Sequence, residues 1–461
     1  MVFERFYLAC LSHASYLIGD PKSGLAVVVD PQRDVDQYTE CAKRKKLKIA
    51  HVVLTHFHAD FVSGHLELAK RCKARIHIGA AAKAGFTFTP VADGSTIELG
   101  GVRLVGLETP GHTPEAICLL VYDLARSADK PYAVLTGDTL FIGDVGRPDL
   151  MASVGVTARE LASSLYDSLR KKLLTLPDET LVYPAHGAGS MCGKALSADA
   201  CSTLGAQKLS NYALKPMSKA EFIKLVTADQ PEAPAYFRYD AELNRKKRPT
   251  LEAALKKGLR PLSVAALQRL QKAGGLVLDT RDADAFAKGH WRGAINVGLG
   301  GKYATWAGAV LEHGTKIALI CEPGAEPESA LRLGRIGFDS VAGYLKGGMA
   351  ALKDQPKLVA RTRRWTAREL SEALAKPGAP AVLDVRNPSE REVSRIDGSA
   401  FIPLGQLPRR LAEAPKGQLV VHCAGGYRSM IAASLLERAG RADVSDLEGG
   451  MAAWNELFAQ A

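Results

Sequence analysis

Residues 55 to 61, Thr55-His56-Phe57-His58-Ala59-Asp60-Phe61, follow a short apolar run, His51-Val52-Val53-Leu54, and set two imidazoles and a carboxylate at H-x-H-x-D spacing. That spacing suits a metal site. An extended segment points residues i and i+2 to the same side, so His56 and His58 can face one pocket while the turn after them carries Asp60 round its edge. Further elements of such a site arrive in order, each after a strand-like run. Thr109-Pro110-Gly111-His112-Thr113 follows Val102-Arg103-Leu104-Val105, and Leu135-Thr136-Gly137-Asp138-Thr139 follows Tyr132-Ala133-Val134. Leu181-Val182-Tyr183-Pro184-Ala185-His186-Gly187 closes the set. Each is weak alone, because a single histidine at a strand end is more often structural and a single Gly-Asp is usually a turn. Four in succession make a shared site the better reading.

The succession resembles the metallo-β-lactamase superfamily, whose two-metal members read H-x-H-x-D-H where this chain has Phe61. The resemblance implies an αββα sandwich over residues 1–245. With one ligand of the second metal missing, the chain looks like the persulfide dioxygenase branch, a resemblance that implies His56, His112 and Asp138 as ligands of one Fe(II) per chain. Two imidazoles and a carboxylate with open positions suit non-haem iron and oxygen, whereas catalytic zinc usually keeps three protein ligands and a water. His58, Asp60 and His186 would then orient ligands and water by hydrogen bonds. The implied reaction is oxidation by O2 of a low-molecular-weight persulfide, glutathione persulfide or similar, to sulfite. The rival is a zinc-dependent, glyoxalase II-like thioester hydrolase, and Phe61 argues against its two-metal form. Two more residues are candidate substrate contacts. Arg147 offers a guanidinium fork to a carrier carboxylate, and Cys192 follows His186 by six residues on a path by which persulfide would reach the metal. The plainer alternatives are a loop-stabilising arginine and a buried thiol.

The second half repeats itself. Leu276-Val277-Leu278-Asp279-Thr280-Arg281 is echoed by Ala381-Val382-Leu383-Asp384-Val385-Arg386, and Gly343 to Leu352 by Asp446 to Trp454. Strands alternating with helical stretches predict parallel α/β units. These signatures resemble rhodanese domains, one over 258–357 and one over 360–461, with Arg245 to Thr250 and Lys353 to Lys357 as linkers. In the last copy the strand Leu419-Val420-Val421-His422 delivers Cys423-Ala424-Gly425-Gly426-Tyr427-Arg428-Ser429 to a helix N-terminus. Gly425 and Gly426 let N–H groups converge on the sulfur, and with Arg428 and Ser429 the loop suits a thiolate, a bound persulfide or an oxyanion. Cys423 and Arg428 are therefore the expected sulfurtransferase pair, interconverting sulfite and persulfide with thiosulfate and thiol. A cysteine phosphatase would use a C-x5-R loop, one residue longer. The middle copy ends its strand at Cys321 and continues Glu322-Pro323-Gly324-Ala325-Glu326-Pro327-Glu328. Acids stand where the arginine would be and prolines remove donors, so this copy is expected to be structural.

At 461 residues the chain is long enough for about three domains at roughly 100 to 200 residues each. No apolar run approaches the roughly 20 residues needed to span a bilayer, and no secretory signal is visible. Eight cysteines lie without the spacings of a disulfide framework, which fits reduced thiols and a cytoplasmic enzyme. The formal charge of +11 is read as a solvated basic surface that attracts small anions. No nucleic-acid module accompanies it. The expected partners are persulfide, O2, sulfite and thiosulfate, with no nucleic acid and no membrane, in a homo-oligomer.

Overall fold

A computed structural model of the chain describes residues 1–150, 155–228, 230 and 233–459. It divides into two compact units, Met1–Leu251 with Arg335–Gly337, and Glu252–Gly334 with Phe338–Ala461.

The first unit is built on two six-stranded sheets. One runs Val2–Leu8, His13–Asp20, Leu25–Val29, Lys48–Val53, Arg75–Gly79 and Thr89–Val91 in spatial order, antiparallel at first and parallel from Leu25–Val29 onward. The other runs Ser202–Thr203, Leu181–Pro184, Ala133–Gly137, Ile117–Asp123, Val102–Glu108 and Thr96–Glu98. Alternation along the strands sorts apolar side chains into layers. Tyr16, Ile18, Val27, Val29 and Val53 meet Leu104, Ile117, Leu119, Val121 and Leu135 between the sheets. Leu17, Val28, Ile49 and Val52 turn outward onto Tyr38, Cys41 and Leu68 of the helices Asp36–Arg44 and His65–Cys72. Leu120, Val134 and Val182 turn onto Ala162, Leu165 and Leu169 of the helix Ala158–Lys171, whose start is held by a Thr157–Glu160 capping box. The expected αββα sandwich is the observed architecture, with mixed α/β units after it.

Two expectations need correction. Arg245 to Thr250 is not a free linker, nor is its charge all solvated. Arg248 and Arg33, whose side chains are 2% and 0% exposed, ion-pair with Glu67, at 2.6 and 3.2 Å, and the Leu251 N–H donates to the same carboxylate. Glu67 in turn is held below its usual value, since the two guanidiniums outweigh the effect of burial. The second correction concerns Lys353 to Lys357, which is partly 3-10 helical and leads into Val359–Ala360, a strand paired with His290–Trp291.

In the second unit each repeat carries a five-stranded parallel sheet. The strands are Pro261–Leu262, Val341–Leu345, Ile317–Ile320, Leu276–Asp279 and Ile295–Asn296 in one, and Arg363–Trp365, Val444–Leu447, Leu419–His422, Ala381–Asp384 and Ala400–Phe401 in the other. Counted along the chain, both read first, fifth, fourth, second, third. Among the described residues no helix is long and apolar enough to cross a membrane.

Candidate metal centre and sulfur-transfer loop

The strand Lys48–Val53 ends just short of the H-x-H-x-D segment, and the close approach of Gly137 beside it is what aligns the next element. Gly137 has φ +51°, and a Cβ there would lie 2.5 Å from Thr55 Oγ1. Asp138 follows directly, so its carboxylate enters the pocket that His56 lines. The Nε2 atoms of His56 and His112 stand 3.8 and 3.5 Å from Asp138 Oδ2. All three residues are buried, and one donor atom from each lies within 4.8 Å of the others.

Hydrogen bonds at the far sides of the rings set the tautomers. His112 Nδ1 donates to the Arg147 carbonyl at 2.8 Å. Thr55 Oγ1 gives its proton to Asp30 Oδ2 at 2.8 Å and so accepts from His56 Nδ1 at 3.0 Å. Both inward Nε2 atoms therefore carry lone pairs. Burial, with neighbouring imidazoles, keeps His56 well below the usual histidine value, and burial lowers His112 too. At Asp138 burial pulls upward, but the His186 and His56 imidazoles outweigh it and hold the carboxyl well below its normal range. Asp138 Oδ2 is buried and accepts no hydrogen bond. Two neutral imidazole nitrogens and one ionised, unpartnered oxygen fit a divalent transition metal.

His186 spans two carboxylates, with Nδ1 at 2.7 Å from Asp138 Oδ1 and Nε2 at 2.9 Å from Asp60 Oδ2. Burial opposes protonation there, yet Asp138 and Asp60 raise its pKa well above the usual value. His58 lies with Nε2 3.1 Å from Asp30 Oδ1. His58, Asp60 and His186 also bring donor atoms within 4.8 Å of one another. Beside them Phe61 is buried, its ring centroid 4.5 Å from that of His58 and 4.0 Å from that of His13. An apolar ring thus fills space next to the second histidine pair.

Arg147 is fully buried, with its fork closed on Asp149 at 2.8 and 2.7 Å and a further bond to the Met191 carbonyl. Its N–H donates to the Cys192 carbonyl at 3.0 Å. Cys192 Sγ falls within 4.8 Å of donor atoms of Asp138 and His186. Burial, then Asp138 and Asp60, push its thiol well up, so it is protonated near neutral pH.

Three contributors escaped motif reading. Asp30 receives the Thr55 N–H and hydroxyl. Asn244 donates to the carbonyls of His58 and Phe61, both at 2.8 Å, and accepts from the Ser63 N–H at 2.8 Å, clamping the whole segment. His13, buried with neither ring nitrogen hydrogen-bonded, packs on Phe61. Pairing across 186 residues leaves no local pattern at Asn244.

In the last repeat Cys423 is buried at the end of its strand, and its Sγ accepts the Gly426 N–H at 3.1 Å. Gly426 has φ +95° and precedes the helix Tyr427–Arg438. Ser429 Oγ is 3.5 Å from the sulfur. Arg428 is bidentate to Glu390 at 2.7 and 2.6 Å, and its own pKa is raised although burial works against this, through Glu390 and Cys423. Gly425 has open space around it. Tyr427 reaches into the preceding repeat, donating to the Gly298 carbonyl at 2.6 Å.

Comparison with known families agrees with this division. The metallo-beta-lactamase superfamily model matches residues 8–186, and the rhodanese-like domain model matches 263–355 and 366–457. The mitochondrial persulfide dioxygenase of Bos taurus is 32% identical over 176 residues, which is 37% of this chain and 63% of the relative. A hydroxyacylglutathione hydrolase of Polaromonas sp. is 32% identical over 190 residues, 40% of this chain and 66% of that protein. The chain thus spans less than two thirds of the length of either. A crystal structure of a metallo-beta-lactamase from Staphylococcus aureus is similar with TM-score 0.66 and 33% identity, over 74% of this chain and 98% of the other.

Proposed function

Since the chain belongs to the metallo-β-lactamase superfamily and carries two rhodanese-like domains behind that fold, we propose that it oxidises a low-molecular-weight persulfide with O2 to sulfite and passes sulfane sulfur through Cys423. The single observation that carries this reading is the pairing of a two-histidine, one-carboxylate donor set with Phe61 at the second-site position. His56, His112 and Asp138 would hold Fe(II), which supplies the electron transfer that lets O2 react with a sulfur anion. His186 keeps a proton between Asp138 and Asp60, fixing the ligand carboxylate and standing ready as a donor inside the pocket. Cys192 supplies a protonated thiol at the same edge, and the Arg147 carbonyl fixes the His112 ring. A carrier carboxylate reaching the Arg147 fork would have to displace Asp149. In the Cys423 loop, the Gly426 N–H and Arg428 favour the sulfur as an anion, and sulfite is the acceptor whose product is thiosulfate.

A zinc thioester hydrolase is the second reading, favoured by the hydroxyacylglutathione hydrolase relative at equal identity. Metal analysis beside oxygen uptake separates the two. About one iron per chain is expected, with uptake driven by glutathione persulfide, and His112→Ala or Asp138→Ala should lose metal and uptake together while sulfurtransfer from thiosulfate to cyanide survives. Two tightly held zinc ions and turnover of acylated glutathione without oxygen consumption would overturn the proposal.

A further inference from the structure

The guanidinium of the Cys423 loop is already occupied. Both Nη atoms of Arg428 bond Glu390, at 2.7 and 2.6 Å, in a closed two-bond fork. Glu390 is itself fixed from two sides. It is the third residue of the short helix Pro388–Val393, its Oε2 also accepts the Asn387 N–H at 3.1 Å, and its carbonyl accepts Arg386 Nη1 at 3.3 Å. The Arg428 bonds hold the Glu390 carboxyl below its usual value although burial works against them, so the acid is ionised near neutral pH. Arg386 and Arg391, on either side of Glu390 in the chain, are both committed to Asp384, at 2.7 and 3.2 Å. A loop suited to anions thus carries a carboxylate on its own arginine.

The middle repeat is an internal control. Its helix Ala283–Lys288 begins two residues after Arg281, as Pro388–Val393 begins two after Arg386. The position of Glu390 is then taken by Ala285, and the position of Arg428, five residues past the cysteine, by Glu326. Both members of the pair are exchanged together. The sheet keeps its strand order without them, so the fold does not require the pair. It accompanies the glycine loop.

We propose that Glu390 sets which sulfur donors the Cys423 loop accepts, by holding Arg428 closed against free oxyanions. The inference rests on Cys423 as the sulfur carrier. A bidentate guanidinium–carboxylate pair is a strong and oriented contact. An oxyanion therefore gains Arg428 only by displacing Glu390, and it then lies beside that carboxylate, where like charges repel. In thiosulfate the sulfane sulfur is bonded directly to the oxyanion, so the whole charge comes into the loop with it. In a low-molecular-weight persulfide such as glutathione persulfide, the sulfane sulfur rides on a thiol sulfur and the carboxylates lie many bonds away. The first class of donor meets Glu390, and the second does not. Glu390 is a positioning residue in this scheme, acting through Arg428.

Glu390→Gln in the full-length protein tests the proposal, because glutamine keeps the side-chain length, an acceptor for Arg428 and the helix-start bond to Asn387 while it removes the charge. Transfer to cyanide is measured without oxygen, so that a persulfide donor is not oxidised. KM for thiosulfate should fall by roughly tenfold with kcat within about twofold of the parent. It should also rise more steeply with added salt, since a guanidinium charge has been uncovered. KM for glutathione persulfide should stay within about twofold. Glu390→Asp keeps the acid on an arm one methylene shorter, which opens the two-bond fork. It serves if the first variant folds poorly, and should lower KM for thiosulfate by a smaller factor, about threefold. An unchanged or raised KM for thiosulfate, or equal changes for both donors, in protein that still needs Cys423 would overturn the role given to Glu390. Full transfer activity in Cys423→Ser would instead overturn the carrier reading beneath it.

Discussion

The two rhodanese-like repeats share a sheet and differ in a loop. Both have the same strand order, and both carry an arginine folded back on the aspartate two residues before it, Arg281 on Asp279 at 2.9 Å and Arg386 on Asp384 at 3.0 Å. Even the backbone turn after the cysteine is kept. Gly324 and Gly426 each stand three residues on, at φ +91° and +95°. What changes is the partner of that glycine's N–H. In the last repeat it donates to Cys423 Sγ at 3.1 Å, while in the middle repeat it donates to Glu326 Oε2 at 2.9 Å. Burial, with Glu326 and Asp279 adding to it, raises the Cys321 thiol. A fold can therefore be copied whole while a few side chains remove the sulfur from the reach of its donors, which is why function has to be argued from the site.

The largest expected effect is the one that would break this contrast outright. Cys423→Ser should lower sulfurtransfer from thiosulfate to cyanide by on the order of 10³-fold, since a serine hydroxyl stays protonated near neutral pH and cannot hold sulfane sulfur. Cys321→Ser should leave the rate unchanged. Because the proposed metal ligands lie in the other unit, Cys423→Ser should still consume oxygen and release sulfite in place of thiosulfate. A persulfide trapped on Cys321 in the Cys423→Ser protein, detected by mass spectrometry after alkylation, would show that the middle repeat is a working carrier.

Why these differences were partly legible beforehand is a matter of chain distance. Ligand motifs at strand ends, the duplicated Leu-Asp-x-Arg segments and the glycines of the Cys423 loop all declare themselves within a few residues, so they carry the resemblances that imply the sandwich and the rhodanese-like repeats. Asn244 and His13 could not be, because their partners lie far off in sequence and neither sits in a motif. The role of Arg248 was misjudged for the same reason. A basic run reads as surface until Glu67, on the helix His65–Cys72, is seen to pair with one member of it. The Asp446–Arg364 pair is a cross-strand contact of the same kind, invisible until the register is known.

A mid-sized effect sharpens the comparison by holding backbone strain constant. Gly426→Ala and Gly324→Ala both place a Cβ at positive φ, which costs about 1–2 kcal/mol, so the two variants should lose similar stability in urea. Only Gly426 sits in the loop that donates to its cysteine sulfur, where the new Cβ would lie 3.1 Å from an Arg364 nitrogen; Gly324 has open space. Sulfurtransfer should fall by roughly tenfold in the first variant, through displacement of a donor to the sulfur, and stay level in the second. Equal losses of activity would mean that the middle loop takes part in the chemistry.

The smallest effect asks whether the middle repeat helps the last one at all. Tyr427 begins the helix after the Cys423 loop, and its hydroxyl donates to the Gly298 carbonyl of the middle repeat at 2.6 Å. The fit is close, since a Cβ on Gly301 would lie 2.5 Å from the Tyr427 ring, and Arg332 fixes that glycine segment by donating to the Leu299 and Gly301 carbonyls. Tyr427→Phe keeps the ring and removes one hydrogen bond, a loss of about 1 kcal/mol. In a unit of this size that corresponds to a fall in Tm of roughly 2–4 °C. If the middle repeat acts only as a scaffold, kcat and KM for thiosulfate should both stay within about twofold of the parent, because the Gly426 N–H and the sulfur keep their places. A drop in kcat well beyond the stability loss, with KM unchanged, would mean that the Cys321 repeat holds the Cys423 loop in its reactive shape.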